Sequence, residues 1–375
     1  MENSKRIVFK FGTNVLRNEN GEISLSRIYS FIEDISKLHK SGKEVIIVTS
    51  GAVGLGAKKV GVNSNESISI KQACAAIGQG QLISIYENGF ASYGINTAQI
   101  LLTEDDFNDR VKYLSLSNVL ETLLKLNVIP VINQNDTVSV RELENVKDGM
   151  SVCFSDNDKL SALLSSKIEA DLLVILSDID GLYTANPKEN KDAKLIPIVE
   201  AITPELESFA CGTIEGSGGR GGMKTKLEAA KVVTRSGCKM IIANGKKPSI
   251  ISKIFKEKVG TLFLPTEILP GKRRWIAYAT NVIGKIYIND GAKNAILNND
   301  ASLLPIGITN IKNDFNKGDV VSIIDSEGKE FARGIANYNS VDAKKIIGSH
   351  SDEIINILGY KHYDALITRD YIALL

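Results

Sequence analysis

Histidine and cysteine are scarce in this chain, and the scarcity narrows its chemistry. Only three histidines occur in 375 residues, His39, His350 and His362. The four cysteines, Cys74, Cys153, Cys211 and Cys238, are widely spaced and include no C-x-x-C pair. A structural zinc site and a histidine-based catalyst are therefore disfavoured, and thiols without near partners fit a reducing compartment. An excess of one charge is missing as well: 45 Lys and Arg stand against 44 Asp and Glu. With no global field to steer it toward nucleic acid or membrane, the chain must bind any anion locally. Long apolar runs are also lacking. The opening Arg6-Ile7-Val8-Phe9-Lys10-Phe11-Gly12 is too short and interrupted for a signal-peptide core, and nothing approaches the ~20 apolar residues of a membrane span. The expectation is a cytoplasmic protein without membrane contact.

Two common nucleotide signatures fail too. Met223 separates Gly222 from Lys224, which breaks the G-x-x-x-x-G-K-[ST] pattern, and Gly51-Ala52-Val53-Gly54-Leu55-Gly56 reverses the G-x-G-x-x-G spacing. What stands there instead is Gly216-Ser217-Gly218-Gly219-Arg220-Gly221-Gly222, followed by Met223-Lys224-Thr225-Lys226 and a helix-like run. Glycines let a backbone approach an anion with its N–H groups turned inward. Lys224 and Lys226 in the first helical turn oppose the helix dipole unless an anion sits there, so the loop reads as a phosphate loop. A surface loop of glycines is the bland alternative.

A chain of this length with 43% hydrophobic residues suggests two or three domains. Apolar runs predict strands at Ile7–Phe11, Val45–Thr49, Thr97–Leu102, Val128–Asn133, Leu172–Ser177 and Met240–Ala243. Helical periodicity falls between them at Ser26–His39, Ile70–Phe90, Leu114–Leu126, Leu160–Ile168 and Lys224–Arg235, and Thr203-Pro204-Glu205 opens a further helix. This alternation predicts an α/β fold, a three-layer sandwich around a mainly parallel sheet.

In such folds ligands bind beyond the carboxyl ends of the strands. The residues there are polar and glycine-rich: Lys10-Phe11-Gly12-Thr13-Asn14, Thr49-Ser50-Gly51-Ala52, Asn133-Gln134-Asn135-Asp136 and Ser177-Asp178-Ile179-Asp180-Gly181. Each alone could be an innocent turn; four at one end of one sheet are harder to dismiss. Lys10 interrupts a strand that would otherwise be buried, and calls for an anionic partner. Ser155-Asp156-Asn157-Asp158 precedes a helical run and carries more Asp and Asn than capping requires.

Beyond Glu267 the pattern changes. The segment 266–275 reads as a linker and 276–375 as a small β-rich domain, with strand-like runs at Gly284–Ile288, Ser302–Gly307, Gly318–Ile324 and Phe331–Ile335. Residues 271–375 hold 13 Lys and Arg against 12 Asp and Glu, which gives no charge support for RNA binding.

These motifs, in order along nearly the whole chain, resemble the amino-acid kinase superfamily and within it the glutamate 5-kinase family. The tail, through Trp275, Asn289-Asp290-Gly291-Ala292, Ser302-Leu303-Leu304-Pro305 and Tyr338-Asn339-Ser340, resembles the PUA domain that many of its bacterial members carry. The resemblance implies an amino-acid kinase domain over 1–265 and transfer of the ATP γ-phosphoryl group to the γ-carboxylate of L-glutamate, the first step of proline biosynthesis. It implies that Lys10 and Lys226 stabilise the transferring group while Asp158 holds them. It places glutamate at Ser50, Gly51, Asp136, Asp156 and Asn157. ATP falls at Lys10, Ser177, Asp178, Arg220, Gly221, Gly222, Met223, Lys224, Thr225 and Lys226, with Mg2+ arriving on the phosphates. It further implies feedback inhibition by proline, a homodimer or homotetramer, and a downstream γ-glutamyl phosphate reductase as partner. Relatives usually carry Thr at the position of Ser177, Gly at that of Ser155 and Glu at that of Gln134, and often Thr at that of Arg220. An acetylglutamate kinase or an aspartokinase is the nearest rival, disfavoured by the tail; an inactive body serving an RNA-binding tail is a rival of another class.

Overall fold

The computed structural model describes residues 3–64, 66–103, 105–139, 157–187, 189–211, 222–266 and 268–375. They fall into two compact units that join in sequence between Ile268 and Leu269.

The first unit is built on β1 (Arg6–Phe11), β2 (Glu44–Val48), β3 (Thr97–Leu102), β4 (Ile129–Gln134), β5 (Leu172–Ser177), β6 (Ile198–Val199), β7 (Lys239–Asn244) and β8 (Thr261–Phe263). They lie in one sheet in the order β3-β4-β2-β1-β5-β7-β8-β6. Every neighbouring pair is parallel except β7 with β8. Residues 7–11 of β1 and all of β4 and β5 are buried, because helices cover both faces of the sheet. The core runs through Phe9, Ile47, Val131 and Val174, with Ile32, Leu82, Tyr86 and Ile254 from the covering helices.

The six strands read from apolar runs appear within one residue of their predicted limits. Helices stand at Leu25–Lys40, Ile68–Ala91, Arg110–Lys125, Asn157–Lys167 and Met223–Thr234, and Pro204–Cys211 opens on Thr203, whose Oγ1 accepts from Leu206 N at 3.3 Å. The helix expected from Leu114 begins four residues earlier. Asp109 caps it, its Oδ1 accepting from Val111 N at 2.8 Å and Lys112 N at 3.0 Å. Its first turn is polar or exposed, so apolar periodicity alone starts too late.

One helix missing from the apolar reading packs unusually closely on a helix that was expected. The helix Ala52–Val60 follows β2, and a Cβ added at Gly56 would overlap the Cys74 carbonyl of the helix Ile68–Ala91. One added at Gly78 would overlap the carbonyl of Ala52. The two backbones therefore touch where both helices have glycine.

The second unit carries β9 (Gly284–Ile288), β10 (Ile308–Lys312), β11 (Val320–Ile324), β12 (Glu330–Ile335) and β13 (Ile372–Leu374), ordered β10-β9-β11-β12-β13. Its core is Ile286, Phe315, Ile323, Tyr338, Ile354 and Ile367 with their neighbours. Residues Ser302–Gly307, expected as a strand, instead make a single bridge, Leu303 to Ile367, and a 3-10 turn at Pro305–Gly307. Pro305 fixes φ and has no N–H to give a ladder, so the strand starts after it, at Ile308. Gly271–Arg274, within the expected linker, is helical and continues into a π-helical turn, Trp275–Ala279. Ile276 and Ala277 of that turn are buried against Val320 and Ala373.

Candidate active site

The strand order decides where the polar loops meet. β4, β2, β1 and β5 are consecutive and parallel, so their carboxyl ends form one edge. Four of the polar segments singled out in the sequence lie along that edge.

At its centre is a carboxylate held between two ammonium groups. Lys10 of β1 is 2% exposed and Asp158 is fully buried. Lys10 Nζ stands 2.7 Å from Asp158 Oδ1, and Lys226 Nζ donates to Asp158 Oδ2 at 3.1 Å. Lys226, itself 3% exposed, comes from the first turn of the helix Met223–Thr234. Asp158 belongs to the first turn of the helix Asn157–Lys167, where a negative charge suits the helix dipole. Thr225 Oγ1 also lies 3.2 Å from Asp158 Oδ2. Burial pushes the Asp158 carboxyl toward its neutral form, but the charges of Lys10 and Lys226, with their hydrogen bonds, outweigh it and hold the group well below the usual carboxylate range.

Beside the carboxylate, Asn157 Nδ2 donates to Thr49 O at 2.7 Å and lies 2.8 Å from Ser50 Oγ and 3.2 Å from Asn133 Oδ1. Ser50 is buried, at the end of β2. Gly51 caps the next helix in the left-handed region, at φ 107°, with Ile23 Cδ1 3.2 Å from where a Cβ would stand. Few side chains would be tolerated there. Tyr86, inside the helix Ile68–Ala91, fixes the strand end through a 2.9 Å hydrogen bond between its hydroxyl and Thr49 Oγ1. Asp136 follows β4 and is half-buried.

On the β5 side, Ser177 is buried and its Oγ donates to Asp178 Oδ1 at 3.3 Å. Asp178 Oδ2 accepts from Asn14 Nδ2 at 3.1 Å, joining the β1 and β5 loops. Gly222 is the N-cap of the helix Met223–Thr234 and gives it no side-chain hydrogen bond. Met223 is buried and Lys224 exposed. This helix end thus offers backbone N–H groups together with Lys224, an arrangement suited to phosphate oxygens.

The structure therefore joins Lys10, Asp158 and Lys226, and joins Asn157 to Ser50. Asp156, Arg220 and Gly221 lie outside the described residues. Asn133 and Gln79 were not expected at the site. Asn133 belongs to a loop motif the sequence did flag; Gln79 had no signal beyond being polar between Gly78 and Gly80.

Comparison with known proteins gives the family. The amino acid kinase family matches residues 5–244, and the PUA domain matches residues 284–358. A glutamate 5-kinase of Thermoanaerobacter sp. (strain X514) is 46% identical over 373 residues, covering 99% of this chain and 98% of the relative. The chain belongs to the glutamate 5-kinase branch of the amino acid kinase family. A glutamate 5-kinase of Caldanaerobacter subterraneus subsp. tengcongensis is 45% identical, again over 99% of this chain and 98% of its own length. Among solved structures, the carbamate kinase from Giardia lamblia bound to AMP-PNP superimposes with a TM-score of 0.51, covering 71% of this chain and all of its own, at 17% identity. That likeness concerns the fold of this amino acid kinase alone. No helix among the described residues is long and apolar enough to cross a membrane.

Proposed function

We propose that this amino acid kinase transfers the γ-phosphoryl group of ATP to the γ-carboxylate of L-glutamate, giving γ-glutamyl phosphate and ADP and opening proline biosynthesis. The observation that carries the reading is the pair of buried lysines braced on one buried carboxylate at the strand ends.

The reaction brings two anions together, so positioning and charge neutralisation make up most of the catalysis. Two buried ammonium groups share one carboxylate and bring positive charge to the site. An oxygen of the γ-carboxylate attacks the γ-phosphorus while the bond from that phosphorus to the β,γ-bridging oxygen breaks, and Lys10 and Lys226 sit where charge passes between them. A side-chain carboxyl of pKa about 4.3 is already ionised at neutral pH, so no general base is needed. The scarcity of histidine fits that chemistry.

Asp158 faces one lysine with each of its oxygens and orients both. Mg2+ would arrive with the triphosphate, whose oxygens suit this small hard cation, and would supply neutralisation of phosphate charge. Gly222, Met223, Lys224, Thr225, Ser177 and Asp178 form the ATP side; Ser50, Gly51, Asp136 and Asn157 form the glutamate side. Asp156, Arg220 and Gly221 join them by kinship. Feedback inhibition by proline, a homodimer or homotetramer, a cytoplasmic location, a domain boundary at 266–275 and a reductase that consumes the acyl phosphate belong to the same reading, on kinship alone.

Hydroxylamine traps acyl phosphates as hydroxamates. The full chain with ATP, Mg2+ and L-glutamate should give a hydroxamate that is lost in Lys226→Ala, and N-acetylglutamate or aspartate should give none. Folded wild-type protein that yields no hydroxamate from glutamate would sink the reading.

A further inference from the structure

The helix Ile68–Ala91 holds none of the residues given a role above except the anchor Tyr86, yet it reaches the glutamate side through Gln79. Gln79 Oε1 accepts from Asn133 Nδ2 at 2.9 Å. Asn133, 3% exposed on β4, presents its Oδ1 to Gln134 N at 2.9 Å and to Asn157 Nδ2 at 3.2 Å. Asn157 Nδ2 in turn faces Thr49 O.

Each amide in this chain is oriented by a group able to play only one part. The Gln134 N–H can only donate, so the Asn133 oxygen faces it. The Asn133 Nδ2 then needs an acceptor, and Gln79 supplies one. Thr49 O can only accept, so the Asn157 nitrogen faces it and the Asn157 oxygen is turned away. That oxygen is buried, in a residue only 8% exposed, and has no hydrogen-bond partner among the described residues. A buried acceptor without a donor is costly, so a donor is expected there when the site is filled.

We propose that Gln79 is a positioning residue. Through Asn133 it holds the Asn157 amide with its oxygen toward the α-ammonium group of the substrate, and so sets the preference for an amino acid over the matching dicarboxylic acid that lacks the amino group. The inference rests on the glutamate kinase reading. Without an acceptor at position 79, Asn133 Nδ2 is orphaned. The rotation that would relieve it turns two donors, Asn133 Nδ2 and Asn157 Nδ2, on each other. The Asn157 oxygen then loses its fixed direction. Gln79 reaches the site because the helices Ala52–Val60 and Ile68–Ala91 pack glycine against backbone at Gly56 and the adjacent Gly78. Tyr86, seven residues on, shares its helical face and anchors Thr49.

The test compares L-glutamate with glutarate, each as substrate with hydroxylamine trapping or, where turnover is too slow, as competitor of glutamate. Gln79→Leu should raise KM for glutamate about tenfold with kcat within about twofold and KM for ATP unmoved, and should shrink the glutamate-to-glutarate preference by a similar factor. Gln79→Glu still accepts from Asn133 and should keep the preference within about threefold, whereas Gln79→Lys, a donor only, should behave like Gln79→Leu. The lysine variant, with a side chain fit for a helix surface, serves if the leucine variant fails to fold. An unchanged preference in folded Gln79→Leu or Gln79→Lys overturns the proposal, as does an equal loss in Gln79→Glu. Wild-type protein inactive on glutamate would instead fault the kinase reading, so the two failures are told apart.

Discussion

Lys10 Nζ and Asp158 Oδ1 form an ion pair of 2.7 Å in which the lysine side chain is 3% exposed and the aspartate not at all. With Lys226 on the other oxygen, one buried carboxylate is shared by two buried cations. Removing it takes from both lysines, in a low dielectric, the carboxylate they share. Asp158→Ala should cost about 3–5 kcal/mol of stability in the first unit, read from the urea midpoint of the full chain, besides abolishing turnover. A midpoint within experimental error of wild type would show that the lysines find other partners.

The same pair gives stability a pH dependence of known sign. Burial favours the neutral carboxyl, Lys10 and Lys226 favour the charged one, and the balance puts the folded pKa below the ordinary aspartate value of 3.8. A carboxyl whose pKa is lower when folded binds fewer protons folded than unfolded. Its contribution is therefore complete above the unfolded value and is lost as pH falls through about 4 toward the folded one. Urea midpoints from about pH 6 down to pH 3 should drop more steeply in wild type than in Asp158→Asn, which starts lower. Parallel curves would mean that Asp158 is not the group responsible.

Lys224 and Lys226 are two residues apart on one helix and should fail differently. Lys226 is buried on Asp158, while Lys224 is exposed beside the helix N-terminus. Methionine has similar helix propensity to lysine, so either change spares the helix. Lys226→Met should lower kcat about 10²–10³-fold with little change in KM for ATP, since in the proposed mechanism it removes charge where the phosphoryl group passes. Lys224→Met should raise KM for ATP about three- to tenfold with kcat within about twofold. Similar kinetics in the two variants would contradict the division of labour drawn here.

Much of this arrangement could be read from the chain, because its strongest signals are local. Strands buried on both faces write themselves as uninterrupted apolar runs, and Lys10 stood out for breaking one. The glycine and lysine spacing before Leu227 pointed to a helix end. What escaped was long-range or geometric. β6 and β8 are two and three residues long, below any periodic signal. The strand expected over Ser302–Gly307 failed on one missing N–H, at Pro305. Gln79 and Asn133 meet across 54 residues of sequence, and no pattern in either segment announces the other. Gly54 and Gly56 figured in the sequence only in a nucleotide signature that fails; Gly56 turns out to admit a neighbouring backbone.

That close approach carries the last expectation. A Cβ at Gly78 would run into the carbonyl oxygen of Ala52 and the backbone nitrogen of Gly56, neither of which is the end of a flexible side chain. The two helices must part to admit it. Gly78→Ala should therefore cost about 1–3 kcal/mol or more, despite the better helix propensity of alanine. It should also raise KM for glutamate, because Gln79 and Tyr86 ride on the displaced helix and anchor Asn133 and Thr49. Gly80, two residues on, is exposed, with nothing within 4 Å of an added Cβ. There the same substitution should stabilise by roughly 0.5–1 kcal/mol and leave KM alone. Urea midpoints and glutamate kinetics on the two variants separate steric contact from propensity, since only contact distinguishes the sites. Equal effects at Gly78 and Gly80 would mean that the helices are not in backbone contact as described.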